Sequence, residues 1–254
     1  MIFFQSGRHK QIIKQIDIVL LWEYYFLMKN IITLYHGSNK IIQTPQYGAG
    51  KRYNDYGRGF YCTQELDLAK EWAVSDDQDG YANEYRMNME GLSVLDLSKN
   101  DFCILHWLAI LVQNRLFDIQ SDFGEEARRY LIDNFGVEYQ KYDVIIGYRA
   151  DDSYFSFAQD FLNNAISLRK LSSAMHLGKL GMQTVLKSEQ AFAQITFQQA
   201  ILAENRKWMP QKMARDSRAR QEYFSSRKDP RKRGDIYMLQ ILDEEMKADD
   251  PRIR

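Results

Sequence analysis

The chain of 254 residues carries only two cysteines, Cys62 and Cys103, and four histidines. The cysteines have no metal-like spacing and the histidines stand singly, so the sequence predicts no metal site. An oxidising compartment usually shows more paired cysteines, so these two read as reduced thiols of a cytoplasmic protein. Net charge is also missing: 34 basic residues balance 34 acidic ones. No global field then draws the chain to nucleic acid or to a membrane, and any such signal must be local. Long hydrophobic runs are absent. The apolar-rich stretch 12–27 is broken by Lys14, Gln15, Asp17 and Glu23. It falls short of the roughly 20 apolar residues of a spanning helix, and it lacks the unbroken apolar core of a signal peptide. It reads either as an amphipathic helix packed on the domain or as a dispensable extension, residues 1–27, ahead of a start at Met28. The sequence has no Walker loop and no Gly-x-Gly-x-x-Gly, no serine in a nucleophile elbow and no internal repeat.

What is present is a series of short strands and helices. Residues 31–35 (IITLY) predict a strand closed by His36-Gly37-Ser38. A polar, glycine-punctuated loop follows over 39–57, and a loop of that length in a compact domain is more often functional than filler. Residues 59–63 predict a second strand. Thr63 is then placed to cap a helix running to about Ser75. The period-two stretch 81–89 predicts a strand with one wet face, and 92–97 another. Helices are expected over 102–117, which is apolar most of the way round and hence core, and over the more amphipathic 123–135. Residues 142–147 read as a buried strand. Asp151 and Asp152 read as an N-cap pair for a helix to about 163, or as a carboxylate pair at a cleft edge that orients Arg149 or a substrate, with a short helix over 168–177. His106 and His176 read as structural. Residues 182–187 predict a strand, Ser188 caps one helical turn, and 195–197 is expected as a brief final strand.

Beyond residue 203 the character changes. Residues 206–233 hold eleven Lys or Arg against Asp216, Glu222 and Asp229. This predicts a long basic helix in which Trp208, Tyr223 and Phe224 are interleaved, a pattern that would suit a nucleic-acid or partner surface. Residues 235–246 predict an amphipathic helix with Ile236, Leu239 and Leu242 on its buried side. Three parts are therefore expected: 1–27, a main domain over 28–203, and a basic helical segment over 204–254 that docks back. Strands interleaved with helices, without regular βαβ spacing, predict an α+β fold.

The stretch from Tyr35 to Ala73 carries the chemistry. A histidine at a strand end, followed by glycine, can donate to a ribose hydroxyl while the glycine backbone approaches a flat ring. A tyrosine in Gly59-Phe60-Tyr61 can stack on that ring. These are the needs of N-glycosidic cleavage in a nicotinamide dinucleotide, where the ring leaves as a neutral base and polar density beside the ribose stabilises an oxocarbenium-like state. A third polar residue at the ribose would complete the set, by analogy with glycoside chemistry. Asp55 either caps a turn or faces the ribose.

Leu34-Tyr35-His36-Gly37-Ser38 resembles the opening of the diphtheria-toxin and poly-ADP-ribose-polymerase branch of the ADP-ribosyltransferases. Gly57-Arg58-Gly59-Phe60-Tyr61 is similar to that branch's Gly-Lys-Gly-Ile-Tyr strand. The run Asp55-Tyr56-Gly57-x-Gly59-Phe60-Tyr61-x-Thr63…Ala69-x-x-Trp72-Ala73, with Asp143-Val144-Ile145-Ile146-Gly147 and Lys187-Ser188-Glu189-Gln190-Ala191, looks like an uncharacterised bacterial family of that fold. The resemblance implies a split β-sheet, NAD-binding fold with NAD as substrate and no metal. It places His36 on a ribose hydroxyl, the Gly37 backbone on the carboxamide and Tyr61 under the nicotinamide. Tyr35, Ser38, Asp55, Gly59, Phe60 and Thr63 would lie around the dinucleotide. The third catalytic position, a glutamate in the polymerases, matches Gln183, and Glu189 is the second candidate. Glutamine can hydrogen-bond a hydroxyl but cannot act as a general base, which points to transfer of a single ADP-ribose to a protein or nucleic acid. Small transferases of this kind resemble toxins of toxin–antitoxin or defence modules, with an antitoxin-like neutralising protein as partner and no membrane role. NAD hydrolysis, or NAD or nucleic-acid binding without turnover, are the alternatives.

Overall fold

The computed structural model describes residues 30–119, 121–150, 152–175 and 181–253. The expected N-terminal helix, Asp151 and His176 lie outside the described residues. The fold is α+β, with two sheets. The first orders β1 (Ile31–Ser38), β3 (Gly80–Asn88) and β7 (Ile195–Ala203), all antiparallel. The second orders β2 (Phe60–Cys62), β6 (Met182–Leu186), β5 (Val144–Tyr148) and β4 (Val94–Asp96), antiparallel except for the β4–β5 pair.

Strand alternation explains how the layers stack. Val144 and Leu186 face the first sheet and join Leu34, Phe60, Tyr85 and Met87 in one apolar cluster. Their neighbours Ile145 and Val185 face the other way, into a larger core built with the helices. A strand covered on both faces reads as a continuous apolar run rather than an alternating one, which is the pattern of residues 142–147. The helical side comprises α2 (Ile104–Asn114), α3 (Asp122–Phe135), α4 (Asp152–Leu162) and α5 (Leu168–Ala174). Every residue of α2 from Leu105 to Val112 is buried, as its all-round apolar sequence requires. Ser121, Ser167 and Ser188 each accept a backbone N–H at the start of α3, α5 and α6 (Glu189–Ala193). These caps satisfy donors that a helix start leaves open.

Among the described residues one backbone bridge joins the two sheets. Tyr35 N donates to Thr63 O at 2.7 Å, and Thr63 N to Tyr35 O at 2.9 Å. Thr63 is completely buried there, and its Oγ1 accepts from Glu65 N. It is therefore a junction residue and not the expected helix cap. The helix itself, α1 (Leu66–Ala73), has Glu65 at its N-cap position without a side-chain cap. α1 packs so closely on β1 that a Cβ on Gly37 would collide with Ala69 O and lie 2.7 Å from Trp72 Cβ and 2.8 Å from Ala73 N. The crossing of α1 is by itself a reason for glycine at 37. Gly37→Ala should lower stability by about 1–3 kcal/mol, as overpacking against backbone does, read as a lower urea midpoint with unchanged slope.

Three further expectations change. β1 does not stop before His36 but runs through Ser38 against Tyr81. β7 extends six residues past Phe197, to Ala203; Gln198 and Gln199 look like loop in sequence, yet an edge strand exposes one face, and Gln199 reaches Glu84 across the pair at 2.7 Å. In α8 (Met238–Asp243) the buried side is Met238 and Ile241 while Leu239 is 45 % exposed. Ile236 precedes the helix, so it could not set the phase. The basic segment folds as α7 (Asn205–Arg227), docked through Trp208 on Ala73, Val74 and Ala203 and through Ala219 and Tyr223 in the main core.

Candidate functional site

A cleft of about 830 Å³ opens where the two sheets meet, walled on one side by α7. Of the residues singled out from sequence, His36, Gly37, Ser38, Asp55, Gly59, Phe60, Tyr61 and Gln183 line it. Tyr35 and Thr63 do not; they hold the junction behind it. Glu189 is exposed in the first turn of α6 and also lies outside the cleft lining. Of the two candidates for the third position, Gln183 is the one in the cleft.

His36 reaches the cleft because β1 continues past it. Its Nδ1 lies 2.7 Å from Tyr61 O. A carbonyl only accepts, so Nδ1 carries the proton and Nε2 is the nitrogen left for a ligand. The ring stacks on Phe60, with centroids 4.3 Å apart. Burial pulls the His36 pKa below its ordinary value, and the bond to Tyr61 O opposes that pull. The neutral ring therefore offers an acceptor, which reverses the expected direction: a ligand hydroxyl would donate to His36. The unfolded chain takes up this proton near pH 6.5 and the folded chain only at lower pH. Between those values the unfolded state holds more protons, so stability falls as pH drops below about 6.5. Denaturant titrations at pH 7.5 and 5.5 should show that loss in the native protein and a smaller one in His36→Gln.

Tyr61 stands on β2, next to β6. Its hydroxyl donates to Gly57 O at 2.6 Å and accepts from Tyr56 N at 3.0 Å. The hydroxyl is consumed internally, so the ring face is what Tyr61 can offer. Gly57 takes a positive φ of 71°, which a side chain would strain. Lys187 Nζ donates to Tyr56 O and Arg58 O, and burial lowers its pKa to about 8. The turn's carbonyls at 56, 57 and 58 are thus occupied by the protein itself, so the turn is a brace for Tyr61.

Gln183 and Asp55 form the polar floor. Gln183 Nε2 donates to Asp55 Oδ2 at 2.9 Å and to Tyr148 O at 3.0 Å. Both partners only accept, which fixes the amide orientation and leaves Oε1 as the atom for a ligand. Asp55 is 5 % exposed. Its Oδ2 also accepts from Ala150 N at 2.8 Å, and its Oδ1 lies 3.5 Å from Arg115 Nη1. Burial raises the Asp55 carboxyl pKa, opposed by the bonds from Ala150 and Gln183 and by Arg115 and Arg149. Tyr56 Oη and Trp107 Nε1 donate to the same Tyr148 carbonyl at 2.9 and 3.1 Å. A Cβ at Gly147 would fall on Tyr56 Oη, so this glycine makes room for the floor.

Sequence reasoning missed most of the cations. Arg115, Arg149, Lys212, Arg215 and Arg220 all line the cleft. Arg149 lies over the Trp72 ring, 4.4 Å from its centroid. Lys212, Arg215 and Arg220 fall on one face of a helix by spacing, a signal that was available; that this face turns to the cleft was not. The aromatic interleaving in this segment proves structural: Trp208 and Tyr223 are buried, Tyr223 stacking on Phe157 at 3.7 Å, and Phe224 alone of the three is exposed. Among the described residues no cluster of three or more His, Cys, Asp or Glu could hold a metal ion, and no helix is long and apolar enough to cross a membrane.

Residues 32–197 match the family model described as a protein of unknown function, DUF3990, and the chain belongs to that family. No curated protein and no solved structure matches it. The matched region runs from the second residue of β1 to the third residue of β7 and so contains the floor of the cleft. It stops short of α7.

Proposed function

We propose that the chain is a cytoplasmic NAD-dependent mono-ADP-ribosyltransferase of the diphtheria-toxin and polymerase type, acting as a toxin or defence effector on a macromolecule. The observation that carries the reading is the meeting of His36, Tyr61 and Gln183 in one cleft across two sheets. A cavity of this volume suits a dinucleotide-sized ligand. The neutral Nε2 of His36 can accept from a ribose hydroxyl, the Tyr61 ring can lie against nicotinamide, and Gln183 Oε1 can face the positive charge that develops on the ribose. Asp55 strengthens that last role: a carboxylate accepting from the Gln183 amide pushes electron density toward Oε1. The glycosidic bond breaks with its electron pair going to the nicotinamide nitrogen, and an acceptor atom bonds to C1′ and releases its proton to solvent, since Gln183 cannot take it. Water as acceptor is the second reading, which yields nicotinamide release without a labelled macromolecule.

Labelled NAD, incubated with the protein and a cell lysate, should leave label in protein or nucleic acid, and His36→Ala should abolish it. Binding of NAD without turnover would reduce the site to a binding module. Absence of both NAD binding and NAD consumption at high protein concentration would overturn the reading.

A further inference from the structure

The α7 wall of the cleft has a chemistry that the floor does not explain. Lys212, Arg215 and Arg220 reach the lining from successive turns of one helix. The acid among them, Asp216, is tied to Arg215 Nη2 at 3.2 Å. Glu71 of α1 holds Arg215 Nε at 2.8 Å. These two contacts fix the guanidinium in place, and its side chain is only 9 % exposed. Even so, Arg215 Nε and Nη1 are both buried and make no hydrogen bond among the described residues, the Glu71 contact being an ion pair alone. A buried donor left open costs about 1–3 kcal/mol, and a rigid guanidinium fork matches phosphate geometry. Arg149, over Trp72, adds a further cation that acts on Glu71, the partner of Arg215.

We infer that this wall binds the diphosphate of an organic diphosphate ligand, with Arg215 as the fixed fork and Lys212 and Arg220 as the outer cations. The inference rests on the proposed NAD reading for the ligand's other end, where His36 and Tyr61 lie, but the wall's own chemistry asks only for a diphosphate. A nucleic-acid strand is the weaker fit, since the aromatics that would stack its bases, Trp208 and Tyr223, are buried. Because α7 lies beyond the family-matched residues, the diphosphate seat is supplied from outside the region that forms the floor.

Calorimetry on the full chain with ADP, adenosine, nicotinamide riboside and a short single-stranded DNA tests this. The variant is Lys212→Gln with Arg220→Gln, two positions outside the core; Arg215 is left in place because its buried ion pair supports folding. ADP should bind at least about tenfold more tightly than adenosine, and the variant should lose about tenfold in ADP affinity while nicotinamide riboside is unaffected. Equal binding of ADP and adenosine, or undiminished ADP binding by the variant, would overturn the inference. So would DNA that displaces ADP and weakens in the variant, which would assign the wall to nucleic acid. Variant-sensitive ADP binding without any binding of nicotinamide riboside would keep the diphosphate seat and remove the NAD reading. The converse pattern would remove the seat alone.

Discussion

Gln183→Leu is expected to reduce any NAD turnover by on the order of 100-fold, the usual effect of deleting one preorganised polar group at a developing charge. Leucine keeps the volume but removes Oε1 and both N–H donors. Among the described residues Asp55 Oδ2 then keeps Ala150 N alone as a hydrogen-bond donor, so about 1.5–3 kcal/mol of stability should go with the activity. Gln183→Glu separates the two effects. It restores an oxygen at the ribose position but puts a second carboxyl beside Asp55, and like charges that close cannot both ionise. The variant should therefore recover activity only where one carboxyl is protonated, giving a pH profile that falls toward alkaline pH. Double substitution with Asp55→Asn should flatten that fall. If Gln183→Leu turns over NAD like the native protein, Gln183 has no role at the ribose. The glutamine thus makes physical sense: the floor already holds one buried acid, and a neutral amide can sit against it without a second charge.

Arg215→Met should cost about 3–5 kcal/mol of stability, because removing one member of a buried ion pair strands the other. Glu71 and Arg215 are each 7 % exposed. Burial raises the Glu71 carboxyl pKa; Arg215 opposes the rise, Asp216 adds to it, and Arg149 and Lys212 oppose it. Those remaining cations compensate in part, which puts the expected loss at the lower end of the range. Glu71→Leu combined with Arg215→Met should recover most of it, since a buried pair is often replaceable by apolar residues. Thermal or urea unfolding of both single variants and the double variant gives the coupling. A double variant as unstable as the sum of the singles would show that the two side chains act independently.

The floor was more legible than the wall. His36, Gly37 and Tyr61 could be singled out because each sits in a short strand with a recognisable local pattern, and strand ends place side chains at a sheet edge; Gln183 came only from the family resemblance. Their roles were less legible. The direction of the His36 hydrogen bond depends on Tyr61 O, 25 positions away, and no local pattern encodes it. Gly37 reads as a glycine for a ligand, and the sequence does not show the second demand on it, from Ala69 and Trp72. The element order was readable from periodicity because buried strands and core helices are strongly patterned. The second half of β7 was not, since two glutamines on an edge strand obey neither template. The misphased α8 had a similar cause: three apolar residues at helical spacing, one of which precedes the helix.

The junction of Tyr35 with Thr63 has a further consequence. Only a short ladder connects the sheets there, and His36 Nδ1 adds a third bond to it through Tyr61 O. The side chain offered to the ligand is therefore also a fastener between the halves that form the cleft. Protonating His36 at Nε2 leaves the fastener in place but removes the acceptor. A substitution removes both. Acid and mutation should then differ in kind: acid removes the acceptor with the cleft still shaped, whereas losing the imidazole also removes one of the bonds between the two sheets and leaves the Tyr35–Thr63 pair and the shared apolar cluster to hold them.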